Sequence, residues 1–147
     1  MSLVSAHGGL AITTPAETSI TDAAWTPIAG VWDLNPLTAD EFVEAANGQL
    51  QYTGTPTRIA SVSGTISPSV PTKDKEFEFA IAKNGTVLND SIVGRWFSVL
   101  GTPGSVAVQA LTNLSTNDYL SLMVRGITDF TNITADYGNL QVMAKIT

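Results

Sequence analysis

Short β-type runs, one strong hairpin turn and almost no helical periodicity predict an all-β fold for this chain of 147 residues. From Thr18 onward, runs rich in Val, Ile, Thr and aromatic residues alternate with clusters of Gly, Pro, Asn and Asp at fairly regular spacing. The length is that of one ordinary domain, so about nine or ten antiparallel strands in a single unit mean a sandwich, a jelly roll or a barrel. No repeat of fixed period is visible, which argues against a solenoid or propeller.

Residues 1–16 are small and polar, end in the turn-like Thr13-Thr14-Pro15, and read as an N-terminal arm outside the core, leaving 17–147 as the folded domain. Thr21 to Val31 sets Trp25 among Thr and Ile and breaks at Asp33-Leu34-Asn35-Pro36, an early strand and its loop. Leu37 to Ala46 is the stretch where helix competes. Thr38 with Glu41 three residues on has the form of a capping box, while Glu41-Phe42-Val43-Glu44 alternates like a strand, and both readings stay open. Asn47-Gly48 then turns the chain into Gln49-Leu50-Gln51-Tyr52, with Leu50 and Tyr52 on one face.

In Arg58 to Ser67, Ala60, Val62, Gly64 and Ile66 share one side and Ile59, Ser61, Ser63 and Thr65 the other, a half-buried strand closed by Pro68 and Pro71. Glu76 to Lys83 alternates throughout and turns Phe77, Phe79 and Ile81 inward. Asn84-Gly85, which tolerates positive φ, makes a type I′ hairpin into Thr86-Val87-Leu88. Trp96 to Leu100 and Ser105 to Leu111 form two strands about a turn at Gly101-Thr102-Pro103-Gly104. After a turn over Asn113 to Asp118, Tyr119 to Val124 places Leu120, Leu122 and Val124 on one face. The last strand, Leu140 to Ile146, groups Leu140, Val142, Ala144 and Ile146.

Seven Lys and Arg stand against 13 Asp and Glu, a formal net charge of −6, which opposes binding to a polyanion, so no nucleic-acid partner is expected. With 44% hydrophobic and 14% charged residues the chain is too apolar to remain disordered. Cysteine is absent and His7 is the single histidine, which removes disulfides, thiolate chemistry and Cys or His-pair metal sites, and no cofactor is expected. The first ten residues hold no Lys or Arg and no apolar run of signal-peptide length. No stretch approaches the about 20 apolar residues a bilayer span needs, so neither a cleaved signal nor a membrane partner is expected.

His7 sits in a glycine-bearing segment without an evident orienting partner, and no Gly-x-Ser-x-Gly elbow occurs. Glu76 and Glu78 share a strand face at period two, where a solvated stripe is the simpler reading than a glycosidase pair. No enzymatic activity is expected. Asp90, Asp118, Asp129 and Asp136 fall in predicted loops and could offer oxygens to Ca²⁺, but without an Asp-x-Asp-x-Asp loop they read as turn caps and no metal is assigned. Trp25, Trp32 and Trp96 suit sugar stacking or, more commonly in β domains, core and interface anchoring. Arg58, Arg95 and Arg125 are expected in intersubunit or surface ion pairs rather than an anion site.

Asn47 to Gly54, Phe77 to Val87 with its hairpin, Leu111 to Val124, and Leu140 to Ile146 follow one another as strand entry, central hairpin, a unit of Leu, short turn, Asp and alternating strand, and a closing strand. In that order they resemble the jelly-roll family that includes tumour necrosis factor and the globular heads of complement and collagen-like proteins, a family with phage structural members. Asn117-Asp118 stands where relatives often carry Gly-Asp, a mild departure because Asn also tolerates positive φ.

The resemblance implies a jelly-roll sandwich that assembles as a threefold homotrimer and serves in a virion. The reading it favours is a capsid decoration, or cement, protein on the outer surface of a phage head, with itself and the major capsid protein as partners. The alternative is a tail or fibre module that recognises a host surface glycan or protein. In the first setting the arm is expected to bind neighbouring capsid subunits through Ser2, Leu3, Val4, His7, Leu10 and Ile12.

Overall fold

The computed structural model of the chain describes residues 5–36, 39–98 and 103–146. Among them, two antiparallel sheets pack face to face as a jelly-roll sandwich. In chain order the strands are β1 (Ala6–Pro15), β2 (Glu17–Thr18), β3 (Thr26–Pro27), β4 (Gly30–Leu34), β5 (Phe42–Glu44), β6 (Leu50–Tyr52), β7 (Arg58–Ser69), β8 (Lys75–Lys83), β9 (Thr86–Val87), β10 (Val93–Phe97), β11 (Val106–Leu114), β12 (Tyr119–Gly126) and β13 (Ile133–Ile146). The first sheet runs β11-β7-β13-β1-β4, with β2 on β13. The second runs β10-β8-β12-β6-β5, with β3 on β12 and β9 on β8. The described strands outnumber the nine or ten expected because β1 lies in the segment read as an arm, and β2 and β3 have two residues each, too few for alternation to show in the sequence.

The long strands follow their patterns. In β7 burial alternates with Ala60, Val62, Gly64 and Ile66 inside. Phe77, Phe79 and Ile81 of β8, Leu120, Leu122 and Val124 of β12, and Leu140, Val142 and Ala144 of β13 join Leu50, Tyr52, Trp32 and Val108 in one core between the sheets. Each Val, Leu, Ile and Phe among them contributes about 1.5–3 kcal/mol through burial. At the hairpin, Asn84 and Gly85 have φ of 52° and 80°, and Lys83 pairs with Thr86. The Asn84 carboxamide also accepts from the Tyr119 N–H at 3.0 Å and donates to Asp118 at 2.7 Å, tying the turn to the neighbouring strand.

Between residues 37 and 46 the strand reading prevails. Phe42 of β5 is buried and pairs with Tyr52, while Thr38, the proposed cap, lies outside the described residues. The early strand sits later than expected: β4 runs through Asp33 and Leu34, because Leu34 packs on the core and Asp33 points outward opposite Ala11. The strand expected from Trp96 begins earlier, at Val93; Val99, Leu100, Gly101 and Thr102 are outside the described residues.

The arm expected over residues 1–16 is corrected by β1. Residues Ala6–Pro15 lie inside the first sheet, paired with β13 on one side and β4 on the other. Ala6 and Leu10 are buried, Ile12 packs against the core, and the His7 backbone bonds with that of Asp40 in both directions. Glycine is depleted in strands, so Gly8-Gly9 looks like a tail. Here the missing side chain is required, because a Cβ on Gly8 would lie 2.7 Å from Cβ of Phe42. Of the residues assigned to the arm, His7, Leu10 and Ile12 belong to a strand, and Ser2, Leu3 and Val4 lie outside the described residues.

Candidate assembly interface

Residues directly opposite in an antiparallel pair point to the same face, so the register of the first sheet defines its outer surface row by row. One row runs Leu111, Ser61, Met143 and His7 across β11, β7, β13 and β1; the next runs Gln109, Ser63, Gln141 and Gly9. Neither row contains Asp, Glu, Lys or Arg. Leu111 is 68%, Met143 60% and Ile59 48% exposed. Charge returns at the margins, with Lys145 opposite Ile59 on β13 and Asp33 on β4. Tyr137, beside the irregularity in β13, is also exposed.

A sheet face left in water ordinarily alternates with charged side chains, whereas the centre of a protein interface is depleted of them. This face has the second character. The pattern is present in the sequence, since no Asp, Glu, Lys or Arg occurs in 59–72 or in 105–116. Strand register is what brings those segments together.

His7 lies on this face beside Met143, with Nδ1 3.4 Å from the Ser5 carbonyl oxygen. The loop aspartates are dispersed into separate turns. Asp118 accepts from the Ser115 N–H and from Asn84, whereas Asp129 pairs with Lys75 and accepts from the Thr131 N–H and hydroxyl. The Lys75 hydrogen bond and those from Thr131 hold the Asp129 carboxyl at about 2, below the ordinary 3.8. Asp90 sits in the short 3-10 turn Asn89–Ser91, and Asp136 at the register shift of β13. Among the described residues no group of three His, Asp or Glu is placed to hold a metal ion.

The tryptophans separate. Trp32 is in the core and donates from Nε1 to the Ile28 carbonyl at 3.1 Å; Trp25 is half-buried with the Arg125 guanidinium carbon 4.7 Å from its ring centre; Trp96 is 53% exposed. The arginines separate as well. Arg58 is buried, with Nη2 2.6 Å from Glu41 and Nε donating to the Tyr52 hydroxyl at 2.8 Å, so its ion pair lies within the protomer. Arg125 pairs with Glu78 at the surface. Arg95 donates to the Ser105 carbonyl and lies over Phe97, and its buried Nε has no hydrogen-bond partner among the described residues.

No protein-family model matches the chain, and no curated protein matches it. Solved structures do. Murine APRIL at pH 5.0 is 13% identical, with 95% of this chain and 99% of that chain covered at a TM-score of 0.56. Eiger TNF from S. frugiperda is 15% identical over 99% of this chain and 93% of that one, with a TM-score of 0.57. PRD1 vertex protein P5 is 13% identical over 100% of both chains, also at 0.57. At such identities the likeness is one of fold: from end to end the chain has the tumour necrosis factor-like jelly roll that the sequence resemblance implied.

Proposed function

We propose that the chain is a non-enzymatic structural protein of a phage virion, a homotrimer that decorates the outer surface of the head and contacts the major capsid protein. The uncharged outer face of the first sheet carries this reading. Left in water it exposes Leu111, Met143 and Ile59 together; covered by a second and third copy it becomes an ordinary interface core. Leu111 and Ile59 stand toward the β11 side and His7 toward the β4 side, an asymmetry suited to a head-to-tail contact that closes into a ring. Likeness along the whole chain to the PRD1 vertex protein supports a place in a virion. A trimer bridging several shell subunits adds binding free energy that exists only in the assembled particle and so resists heat and chelation. Attachment through the N-terminus is assigned to Ser2, Leu3 and Val4, ahead of β1.

Light scattering tests the assembly: the expected mass is three times 15.5 kDa, and a stable monomer at micromolar concentration overturns the reading. A fibre or tail location is the second reading. It is supported by Ile127 and Phe130, exposed on a loop that is tied down through Thr128 and Asp129. Gel densitometry of purified virions separates the two, since decoration requires many more copies than a fibre standard. A handful of copies, with host adsorption lost and head stability unchanged on depletion, favours the fibre.

A further inference from the structure

We propose that the outer face of the second sheet is a saccharide-binding platform, built from Trp96, Glu76, Glu78, Arg125 and Trp25 around the side-chain gap at Gly94. The register sets these residues side by side. Trp96 of β10 is opposite Glu76 of β8; Gly94 is opposite Glu78, and Glu78 is opposite Arg125 of β12. Because Thr26 is opposite Val124, the row continues from Arg125 to Trp25, whose ring lies 4.7 Å from the guanidinium carbon.

Most of the platform is held before any ligand arrives. Arg125 donates from Nε to Glu78 at 2.7 Å and lies 2.5 Å from the same oxygen through Nη2, so its fork is fixed between a carboxylate and an indole. The Glu76 N–H donates to the Thr128 hydroxyl at 2.8 Å and its carbonyl accepts from the Ile127 N–H at 2.9 Å, which anchors the backbone at that point. The Glu76 carboxylate, by contrast, makes no hydrogen bond or ion pair among the described residues. A Cβ on Gly94 would stand 3.7 Å from Glu76 Oε1 and 4.0 Å from Glu78 Cγ, so both acidic side chains border the place where β10 has none. Beside that gap is Trp96, 53% exposed.

A free carboxylate next to an exposed indole, with a fixed guanidinium one row away, is complementary to a pyranose. The sugar's C–H face carries partial positive charge and lies on the negative face of the indole ring. Its hydroxyls donate to the Glu76 carboxylate and accept from donors such as Arg125. Arg125 loses little side-chain entropy on binding, because its ion pair with Glu78 already holds it. A cationic ligand would also suit Trp96 and Glu76, but it would meet the Arg125 charge and find Glu78 already paired. The platform and the uncharged face lie on opposite sides of the sandwich, so this inference stands or falls apart from the trimer.

The test titrates the full chain with neutral malto-, cello-, chito- and galacto-oligosaccharides, followed by tryptophan fluorescence and amide chemical shifts. At least one series is expected to bind saturably in the millimolar range or tighter, with shifts at Trp96 and Glu76 and little effect of added salt. Trp96→Ala is expected to weaken that binding by about tenfold or more, Trp96→Phe to restore part of it, and Glu76→Gln to weaken it several-fold. Circular dichroism and mass confirm that each variant stays folded, as expected for an exposed Trp96 and a half-buried Glu76 on the outer face. The proposal is overturned if none of the four series binds, if Trp96→Ala binds as well as the parent chain, or if the surface takes only oligolysine in a salt-sensitive way.

Discussion

The two outer faces of this sandwich differ in how they meet water. The second sheet turns Glu76, Glu78 and Arg125 outward and satisfies a carboxylate and a guanidinium within the protomer. The first sheet turns out Leu111, Met143, Ile59, Ser61, Ser63 and Gln109 and has charge only toward its margins. Both consist of antiparallel strands over one shared core, so burial on the inner side does not account for the contrast. It lies wholly in what the outward positions were given, uncharged residues on one face and charged ones on the other.

The largest effect follows from β1, which separates β13 from β4 in the first sheet. Deleting residues 1–14 removes most of that strand, takes Ala6 and Leu10 from the core, strips β4 of its partner strand and opens one edge of β13, which keeps β7 on the other. The loss is expected to exceed a typical domain's about 5–15 kcal/mol of stability, giving a chain with no cooperative melt. Deleting residues 1–4 is expected to leave the melting curve in place while attachment to stripped particles is lost. A folded trimer after the longer deletion would show that β1 is dispensable to the first sheet.

Next in size is a paired substitution across the two faces. Leu111→Lys sets a charge in the uncharged row and is expected to weaken trimer association by about a hundredfold or more, since an unpaired charge would be buried in each contact. Glu78→Gln on the opposite face is expected to leave the mass unchanged and to cost about 1 kcal/mol, since the pair it breaks is half-buried at the surface. Sedimentation and thermal melts read both. Equal effects on mass would abolish the distinction between the faces.

How far the sequence discloses this contrast depends on the length of each pattern. β7 alternates long enough to show which side is inward, the large apolar residues of β8 and β12 show it although Ala80, Ala82, Ser121 and Met123 are buried as well, and Asn84-Gly85 reveals its turn because few other residues accept positive φ. β1 is hidden by Gly8 and Gly9; the small size of Gly8 is required against Phe42, a contact made only after folding. The uncharged face is hidden for a different reason: 59–72 and 105–116 each lack charge, yet only pairing in register turns two neutral segments into one surface. The three tryptophans look alike in sequence, and only the register separates Trp32 in the core from Trp96 on the rim of the second sheet.

The smallest effect concerns the loop beside Glu76 and shows whether the second sheet keeps its polar contacts without help from assembly. Asp129 pairs with Lys75 and accepts from the Thr131 hydroxyl at 2.6 Å and its N–H at 3.0 Å, bonds that favour the charged form and hold the carboxyl at about 2 against an ordinary 3.8. A depressed pKa means that the contribution is fully present above 3.8, where the unfolded chain is also ionised, and is lost as pH falls through about 2. Asp129 is exposed, so the change is local to the loop. The carboxyl carbon shift of Asp129 is expected to titrate with a midpoint near 2, the Thr131 amide to follow it, and Asp129→Asn to remove the transition. The same midpoint is expected in the Leu111→Lys variant, because Lys75 and Thr131, the partners of Asp129 among the described residues, lie beside it in its own chain. A midpoint at the ordinary carboxylate value would mean that the loop is open in solution. A midpoint that moved with Leu111→Lys would mean that the two faces are coupled, against the division of roles between them.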